Sequence, residues 1–473
     1  MNTAIIRVFV CVVVLFGLLV GFTSNWSVFD AEGLKDNPNN ARKLIEELSI
    51  DRGNIAAANG MVLARSVPAK GGTFRRQYPA GGLFAHAVGW DFPDFGTVGL
   101  EAEYDKELLG ETSDLDDFVE LLGGKKDKKG QSLQTGLDPQ GQQTAINALG
   151  GRPGSIVALE PDTGRVLVMV SVPGFNPADG VRTLRRLQNA EGSPLFNRAT
   201  QSQYPPGSTM KVVTAVAAID SGKFSASSVL DGNTGIPVGG VPLANFGGQS
   251  FGPVDLTTAL TFSINTVWGR VAEQVGKETM GEYMRRFGFY KKPELDYPDD
   301  QMVISAPRSE RTGRPLKPTS DQIDIGRVGI GQGNLTVTPL QMAEVAAAVA
   351  NDGVLMRPRF GERLIDADGR TKRRINPREQ DRVMSAETAR TVKEMMGNVV
   401  REGSGTAAAL SGVSVAGKTG TAETGRGDQA WFIGLAPIDD PQVAVAVTVE
   451  PPAGTGGEVA APLAAQVIQS LLR

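Results

Sequence analysis

One cysteine, Cys11, and one histidine, His86, are all that 473 residues hold of either type. An internal disulfide is therefore impossible, and a zinc site of the usual Cys/His kind has too few ligands. A Ser-His-Asp triad would have to recruit His86. That residue follows Leu83-Phe84-Ala85, far in sequence from any candidate nucleophile, and reads as structural. A surplus of positive charge is missing too. Lys and Arg total 48 against 52 Asp and Glu, so the net charge is −4 and no general attraction to nucleic acid is expected. No internal repeat of roughly 20–50 residues is visible, which removes solenoids and propellers.

What is present begins with an apolar N-terminus. Residues 8–22 are all apolar, and Ala4, Ile5 and Ile6 extend the run past Arg7. A spanning helix needs about 20 residues, and an arginine near its end can reach the headgroups. Arg7 and the free amine precede the run, which places the N-terminus in the cytoplasm. Trp26 stands where an interfacial aromatic would. No Ala-x-Ala site follows, which favours an uncleaved anchor over a signal peptide. Either reading puts the remaining chain outside the cytoplasmic membrane. Cys11 then lies in lipid and the exported part carries no thiol.

The hydrophobic content, 41%, suffices for two or three domains with real cores. Residues 37–48 read as a short helix capped by Asn39 or Asn40, with Leu44, Ile45 and Leu48 on one face. Residues 52–64 read as strand and turn around Asn59-Gly60, and 101–109 as a helix. The charge-dense run 113–131, with Lys125-Lys126-Asp127-Lys128-Lys129, reads as a solvated loop; attraction to anionic polymer or lipid is the second reading. A helix ends near 144–149. From Gly154 onward the texture is one large α/β domain. A hairpin joins 156–159 to 166–170 through Pro161-Asp162-Thr163-Gly164. Helices follow at 211–219, 339–350 and 386–400, then strands at 413–420, 429–435 and 443–449, and a closing helix at 459–472.

Three short segments carry chemistry. Tyr204-Pro205-Pro206-Gly207-Ser208-Thr209-Met210-Lys211 delivers the chain into a helix, with Ser208 at its N-terminus and Lys211 one turn on along the same face. Free N–H groups there suit a developing oxyanion, and a neutral amine one turn away can take the serine proton. An ordinary lysine titrates near 10.4, so burial or a nearby cation must lower it by several units. Alone, Ser-x-x-Lys is a poor signal, and Ser208 could be a plain N-cap. Ser263-Ile264-Asn265 could supply a hydroxyl for proton relay and an amide for substrate contact. Lys418-Thr419-Gly420-Thr421 ends a predicted strand. A lysine and two hydroxyls on an edge strand suit a carboxylate, and Gly420 would let a substrate backbone pair closely. Each segment alone is bland, but together, in this order, they match a known set of Ser-x-x-Lys, Ser-x-Asn and Lys-Thr-Gly.

On these motifs the chain resembles the class B penicillin-binding proteins, the peptidoglycan D,D-transpeptidases. The resemblance covers nearly the whole chain. Arg52-Gly53-Asn54-Ile55 and Gly99-Leu100-Glu101, with Tyr104-Asp105, are similar to motifs of the family's N-terminal pedestal. Residues 157–164, 171–177 and Asn197-Arg198-Ala199 resemble the transpeptidase domain's opening. Gly331-Gln332-Gly333, residues 338–343 and the strand at 428–434 match later family segments. Ala57 and Ala58 depart from the pattern, which usually carries Asp and Arg there, and the pedestal is short for the class. The resemblance implies an α+β or α/β penicillin-binding fold, an antiparallel sheet flanked by helices. It divides the chain into an anchor (1–24), a pedestal (25–150) and a transpeptidase domain (151–473).

The resemblance also implies roles. Ser208 attacks the carbonyl between two terminal D-alanines of a stem peptide, and Lys211 takes its proton. The backbone N–H groups of Ser208 and Thr421 form the oxyanion hole. Ser263, with Lys418, passes a proton to the leaving D-alanine, and Asn265 bonds the substrate amide. Thr419 and Thr421 hold the carboxylate beside Gly420. A second stem peptide's amine then resolves the acyl-enzyme, and a β-lactam would acylate Ser208 and leave slowly. No metal or cofactor is called for. A membrane-embedded glycan polymerase is the implied partner. A class A β-lactamase is disfavoured, since between Ser263 and Pro339 no Glu is followed four residues later by Asn. A bifunctional polymerase would need more chain before the transpeptidase. A β-lactam sensor lacks a signalling segment before the anchor. A non-enzymatic scaffold of the division or elongation machinery is the remaining alternative, opposed by the intact motifs.

Overall fold

The computed structural model describes residues 3–25, 45, 47–110, 129–425 and 427–472. Most of the expected helix at 37–48 and of the charged run at 113–131 lies outside them. In chain order, the strands used below are β1 (Ile55–Ala56), β2 (Val62–Pro68), β3 (Phe74–Gln77), β4 (Ser132–Thr135), β5 (Gly154–Leu159), β6 (Val166–Val172), β7 (Gly361–Ile365), β8 (Thr371–Arg374), β9 (Ala416–Thr424), β10 (Gly427–Ala436) and β11 (Val443–Val449). The helices are α1 (Thr3–Ser24), α2 (Asp105–Leu109), α3 (Pro139–Leu149), α4 (Lys211–Asp220), α5 (Leu256–Thr261), α6 (Asn265–Val275), α7 (Pro339–Ala350), α8 (Ala386–Arg401) and α9 (Ala461–Leu471).

Helix α1 has 22 residues and buries none of them against the protein. At about 1.5 Å per residue it is roughly 33 Å long, enough to cross a hydrocarbon core of about 30 Å. It is long and apolar enough to serve as a membrane anchor.

Five strands in the order β9-β10-β11-β5-β6 form an antiparallel sheet. Their runs are apolar at successive positions, so both faces are covered. On one side Val157, Leu159, Ile433 and Ala444 join the core around α7, every residue of which is buried. On the other, Ile156, Ala158, Val445 and Val447 pack with α3 and α9. The texture read as α/β thus resolves as α+β, because neighbouring strands run antiparallel. Strand β9 starts later than expected and runs on to Thr424, paired residue by residue with β10. Lys418-Thr419-Gly420 therefore lies mid-strand, not at its end.

The pedestal sheet has the order β8-β7-β4-β1-β2-β3. Arg52 sets its base. Arg52 donates to Glu101 Oε2 at 2.9 Å and to Asp105 at 2.6 Å, and Arg76 donates to Glu101 Oε1 at 2.6 Å. Glu101 is fully buried, and the two arginines hold its carboxyl below the ordinary range against the opposing effect of burial. Gly53 is required because a Cβ would fall 1.9 Å from the Gln131 carbonyl oxygen. The helix expected over 101–109 breaks at Tyr104, whose hydroxyl donates to Asp296 at 2.5 Å.

Two features depart from a linear division at 150/151. Helix α3, with its N-cap Asp138, packs on β6 and α9 of the larger domain. In return, the β7–β8 hairpin leaves the larger domain and pairs with β4 of the pedestal. Nothing local in the sequence of 361–374 tells which sheet receives this hairpin.

Candidate active site

The nucleophile turn is fixed from both sides. Tyr204 exchanges backbone hydrogen bonds with Val337 at 3.0 and 2.8 Å, and the Pro205 carbonyl accepts from the Trp431 indole at 3.0 Å. Gly207 has a φ of 54°. Its N–H donates to the Gly331 carbonyl at 3.0 Å, and a Cβ on Gly331 would stand 1.9 Å from the Gly207 oxygen. That contact explains Gly331 in the Gly331-Gln332-Gly333 segment. Ser208 sits in a 3-10 turn, Gly207–Met210, that runs directly into α4 at Lys211. The expected helix N-terminus is thus one 3-10 turn, and Lys211 opens the α-helix proper.

Four side chains, Lys211, Ser263, Asn265 and Lys418, converge at the cleft that Ser208 lines. The Lys211 amine donates to the Ser263 carbonyl at 2.7 Å and to Asn265 Oδ1 at 2.6 Å, and lies 3.1 Å from Ser263 Oγ. The Lys418 amine reaches the same Ser263 Oγ at 2.9 Å and the Thr419 carbonyl at 2.9 Å. Ser263 joins α5 to α6 with a φ of 59°. Helices commonly end on a left-handed residue, but that residue is usually glycine. A serine there carries strain and brings a hydroxyl between two amines, the kind of site where strain persists for function.

Both lysines are fully buried. Burial, and then the neighbouring Lys418, pushes the Lys211 amine well below the ordinary lysine value. Burial pushes Lys418 down to about 7. A neutral amine has two N–H donors and one lone pair. With its hydrogens on the Ser263 carbonyl and Asn265, Lys211 keeps the lone pair for a hydroxyl proton. Asn265 gives one N–H to the Ala244 carbonyl at 3.0 Å and retains the other.

These groups open on a cleft of about 570 Å³ lined by Ser208, Ser263, Asn265, Thr419 and Thr421. Lys211 and Lys418 lie under its floor. A depression of about 610 Å³ near Glu160 and Asp440 is lined by no Ser, Thr or Cys. Strand β9 is the sheet edge, and its free side borders the cleft. Gly420 has a packing purpose besides the one expected. A Cβ there would come within 2.9 Å of the Pro206 oxygen and of Thr209 Cγ2, so glycine lets β9 close on the nucleophile turn. Sequence reasoning missed Ser404, whose hydroxyl is 2.6 Å from Thr419 Oγ1, and Asn245, which accepts from the Thr266 N–H at 3.0 Å beside Asn265. Only the flanking Gly403 and Gly405 marked Ser404, and Asn245 had no local signal.

Residues 154–469 match the family described as "Penicillin binding protein transpeptidase domain", and 52–133 match "Penicillin binding protein A dimerisation domain". The chain is 36% identical to the peptidoglycan D,D-transpeptidase PbpA of Mycolicibacterium smegmatis, over 100% of this chain and 99% of that one. It is similar to a ceftriaxone acyl-enzyme of penicillin-binding protein A from M. tuberculosis, with TM-score 0.80 and 32% identity over 91% and 100% of the two chains. A D,D-transpeptidase domain from Eggerthella lenta gives TM-score 0.78 and 33% identity, covering 90% of this chain and 98% of that one.

Proposed function

This chain belongs to the class B penicillin-binding proteins and is a peptidoglycan D,D-transpeptidase; from that premise we propose that Ser208 is the residue acylated. The single observation that carries this reading is the sharing of Ser263 Oγ by the Lys211 and Lys418 amines under the cleft that Ser208 lines. Neutral Lys211 takes the Ser208 proton as Oγ attacks the carbonyl between the terminal D-alanines of a stem peptide. The backbone N–H groups of Ser208 and Thr421 receive the oxyanion. Proximity supports this pair, since a Cβ on Gly207 would stand 2.7 Å from the Thr421 carbonyl oxygen. Ser263, between the two amines, conducts a proton to the departing D-alanine. The free N–H of Asn265 bonds the substrate amide. Thr419 and Thr421 take the terminal carboxylate, with Lys418 adding positive potential, and the donor peptide lies along the free edge of β9. An amine of a second stem peptide attacks the ester carbonyl, forms the cross-link and releases Ser208. A β-lactam enters by the same route and stays as the acyl-enzyme.

The anchor at 1–24 holds the catalytic domain on the extracytoplasmic side, where its substrate lies, beside a membrane-embedded glycan polymerase. The motifs divide the rest of the chain into a pedestal (25–150) and a transpeptidase domain (151–473), and α3 and the β7–β8 hairpin cross that division. Intact-mass analysis after benzylpenicillin tests the nucleophile. A mass increase of one penicillin on the wild type, absent from Ser208→Ala, is expected. No adduct on the wild type would favour a non-enzymatic scaffold, and an adduct persisting in Ser208→Ala would place the nucleophile elsewhere.

A further inference from the structure

The pedestal sheet is one-sided in charge. Its six strands carry Arg65, Arg75, Arg76, Arg363, Lys372, Arg373 and Arg374 against one carboxylate, Glu362, in a chain whose net charge is −4. Two of the cations are consumed internally. Arg76 binds Glu101, and Arg373 pairs with Glu107 at 3.0 Å. Glu362 turns to Arg165 and Arg359, in the larger domain.

Registry separates the two faces of the sheet. Leu364, Leu133, Ile55 and Ala64 lie in one row and are buried. The adjacent row, pointing the other way, contains Arg374, Arg363 and Gln134. Arg374 stands directly opposite Arg363, an arrangement that destabilises an antiparallel pair unless an anion relieves it. Farther across the sheet Arg65 and Arg75 are exposed as well. Among the described residues, none of these four arginines has a carboxylate partner. Strand β8, exposed at every position, is the outer edge.

We propose that this arginine face docks the pedestal on a surface of anionic phospholipid headgroups, in the membrane that α1 enters. The inference rests on the reading of α1 as an anchor. Charge complementarity selects the occupant, since four guanidiniums without a carboxylate partner on one face suit an array of phosphates. Chain connectivity supports it. About 30 residues separate α1 from β1 of this sheet, a span of at most about 100 Å even when fully extended. Each arginine brought to a negative leaflet raises the affinity about fivefold, and the attraction decays within about 10 Å at 0.1 M salt. Docking would fix the height and tilt of the catalytic cleft above the bilayer.

The test uses the full chain in lipid nanodiscs, with Cys11→Ser and Thr371→Cys carrying an environment-sensitive dye. Headgroup-spin-labelled lipid serves as quencher. Discs of phosphatidylglycerol are compared with discs of phosphatidylcholine. The expected result is strong quenching on phosphatidylglycerol that falls at least fivefold in 0.5 M NaCl, on phosphatidylcholine, and in the variant R65Q/R75Q/R363Q/R374Q. Fluorescent-penicillin labelling of that variant at the wild-type level shows that it remains folded. Should it misfold, R363Q/R374Q alone is used, with an intermediate loss expected. Equal quenching on both lipids, or none on phosphatidylglycerol, overturns the proposal and leaves a protein partner or the chain's own acidic run 111–120 as the cover. Failure to enter discs would refute the anchor instead, and failure to label with penicillin the nucleophile; neither resembles loss of quenching alone.

Discussion

Replacing Lys418 by glutamine should move the acid limb of the acylation rate to higher pH. As the proposed base, Lys211 can act only when neutral, so on that proposal the limb marks its deprotonation. Its amine and that of Lys418 lie 3.1 and 2.9 Å from the same Ser263 Oγ. The two nitrogens are therefore no more than about 6 Å apart, and at an effective dielectric constant of about 20 their repulsion is roughly 3 kcal/mol, or about two pH units. Lys418 titrates at about 7, so it is charged at more acidic pH and holds Lys211 down there. Removing that charge favours the Lys211 ammonium, its titration rises, and the limb shifts up by about two units. On the limb itself, acylation slows about a hundredfold at fixed pH. Loss of the Lys418 contacts also lowers the plateau, but plateau height and limb position are separate readouts. Stopped-flow acylation by a chromogenic cephalosporin from pH 5 to 10 measures both. A limb that stays in place, or moves to lower pH, would refute Lys211 as the base depressed by Lys418.

Other consequences concern stability and packing. A buried lysine titrating at about 7 rather than 10.5 binds fewer protons folded than unfolded, so its contribution becomes more favourable as pH rises. Relative to Lys418→Met, the wild type should gain about 2 kcal/mol in chemical denaturation between pH 7.5 and 9. His86, buried against Phe175 and bonded to the Pro194 carbonyl, is pushed down to about 4 by burial, with Arg198 adding to the effect. Stability is therefore lost as pH falls from 6.5 towards 4, by about 3 kcal/mol, and His86→Asn should flatten that part of the profile. Glu101→Ala strands Arg52 and Arg76 in the pedestal and should cost about 3–5 kcal/mol in urea unfolding. Gly420→Ala forces β9 off the nucleophile turn; penicillin acylation should drop by about a hundredfold, with only about 1–3 kcal/mol lost in stability.

Fold class and family were legible in the sequence, and the candidate site was named from motif spacing. Ser208, Lys211, Ser263, Asn265 and Lys418 could be named because each chemistry needs particular atoms at short sequence spacing, and the structure brings the five together. The packing purpose of Gly420 was not legible, because the atoms that exclude its Cβ belong to Pro206 and Thr209, more than two hundred residues away. The left-handed backbone at Ser263 was hidden for a similar reason. Local pattern calls for glycine at such a position, and only the two amines explain the serine. Strand periodicity located β5, β6, β10 and β11, but it does not encode partners. Whether β7 and β8 pair within their own domain or with β4 is decided by tertiary packing alone.

That pairing bears on how the chain can assemble as it is made. β4 emerges more than two hundred residues before the hairpin that borders it. Until Arg374 has been synthesised, the N-terminal unit stands with a bare strand flank, open to pairing with other chains. Completion of the first unit thus waits on synthesis of most of the second, and a fragment ending near residue 150 would keep that flank bare for good.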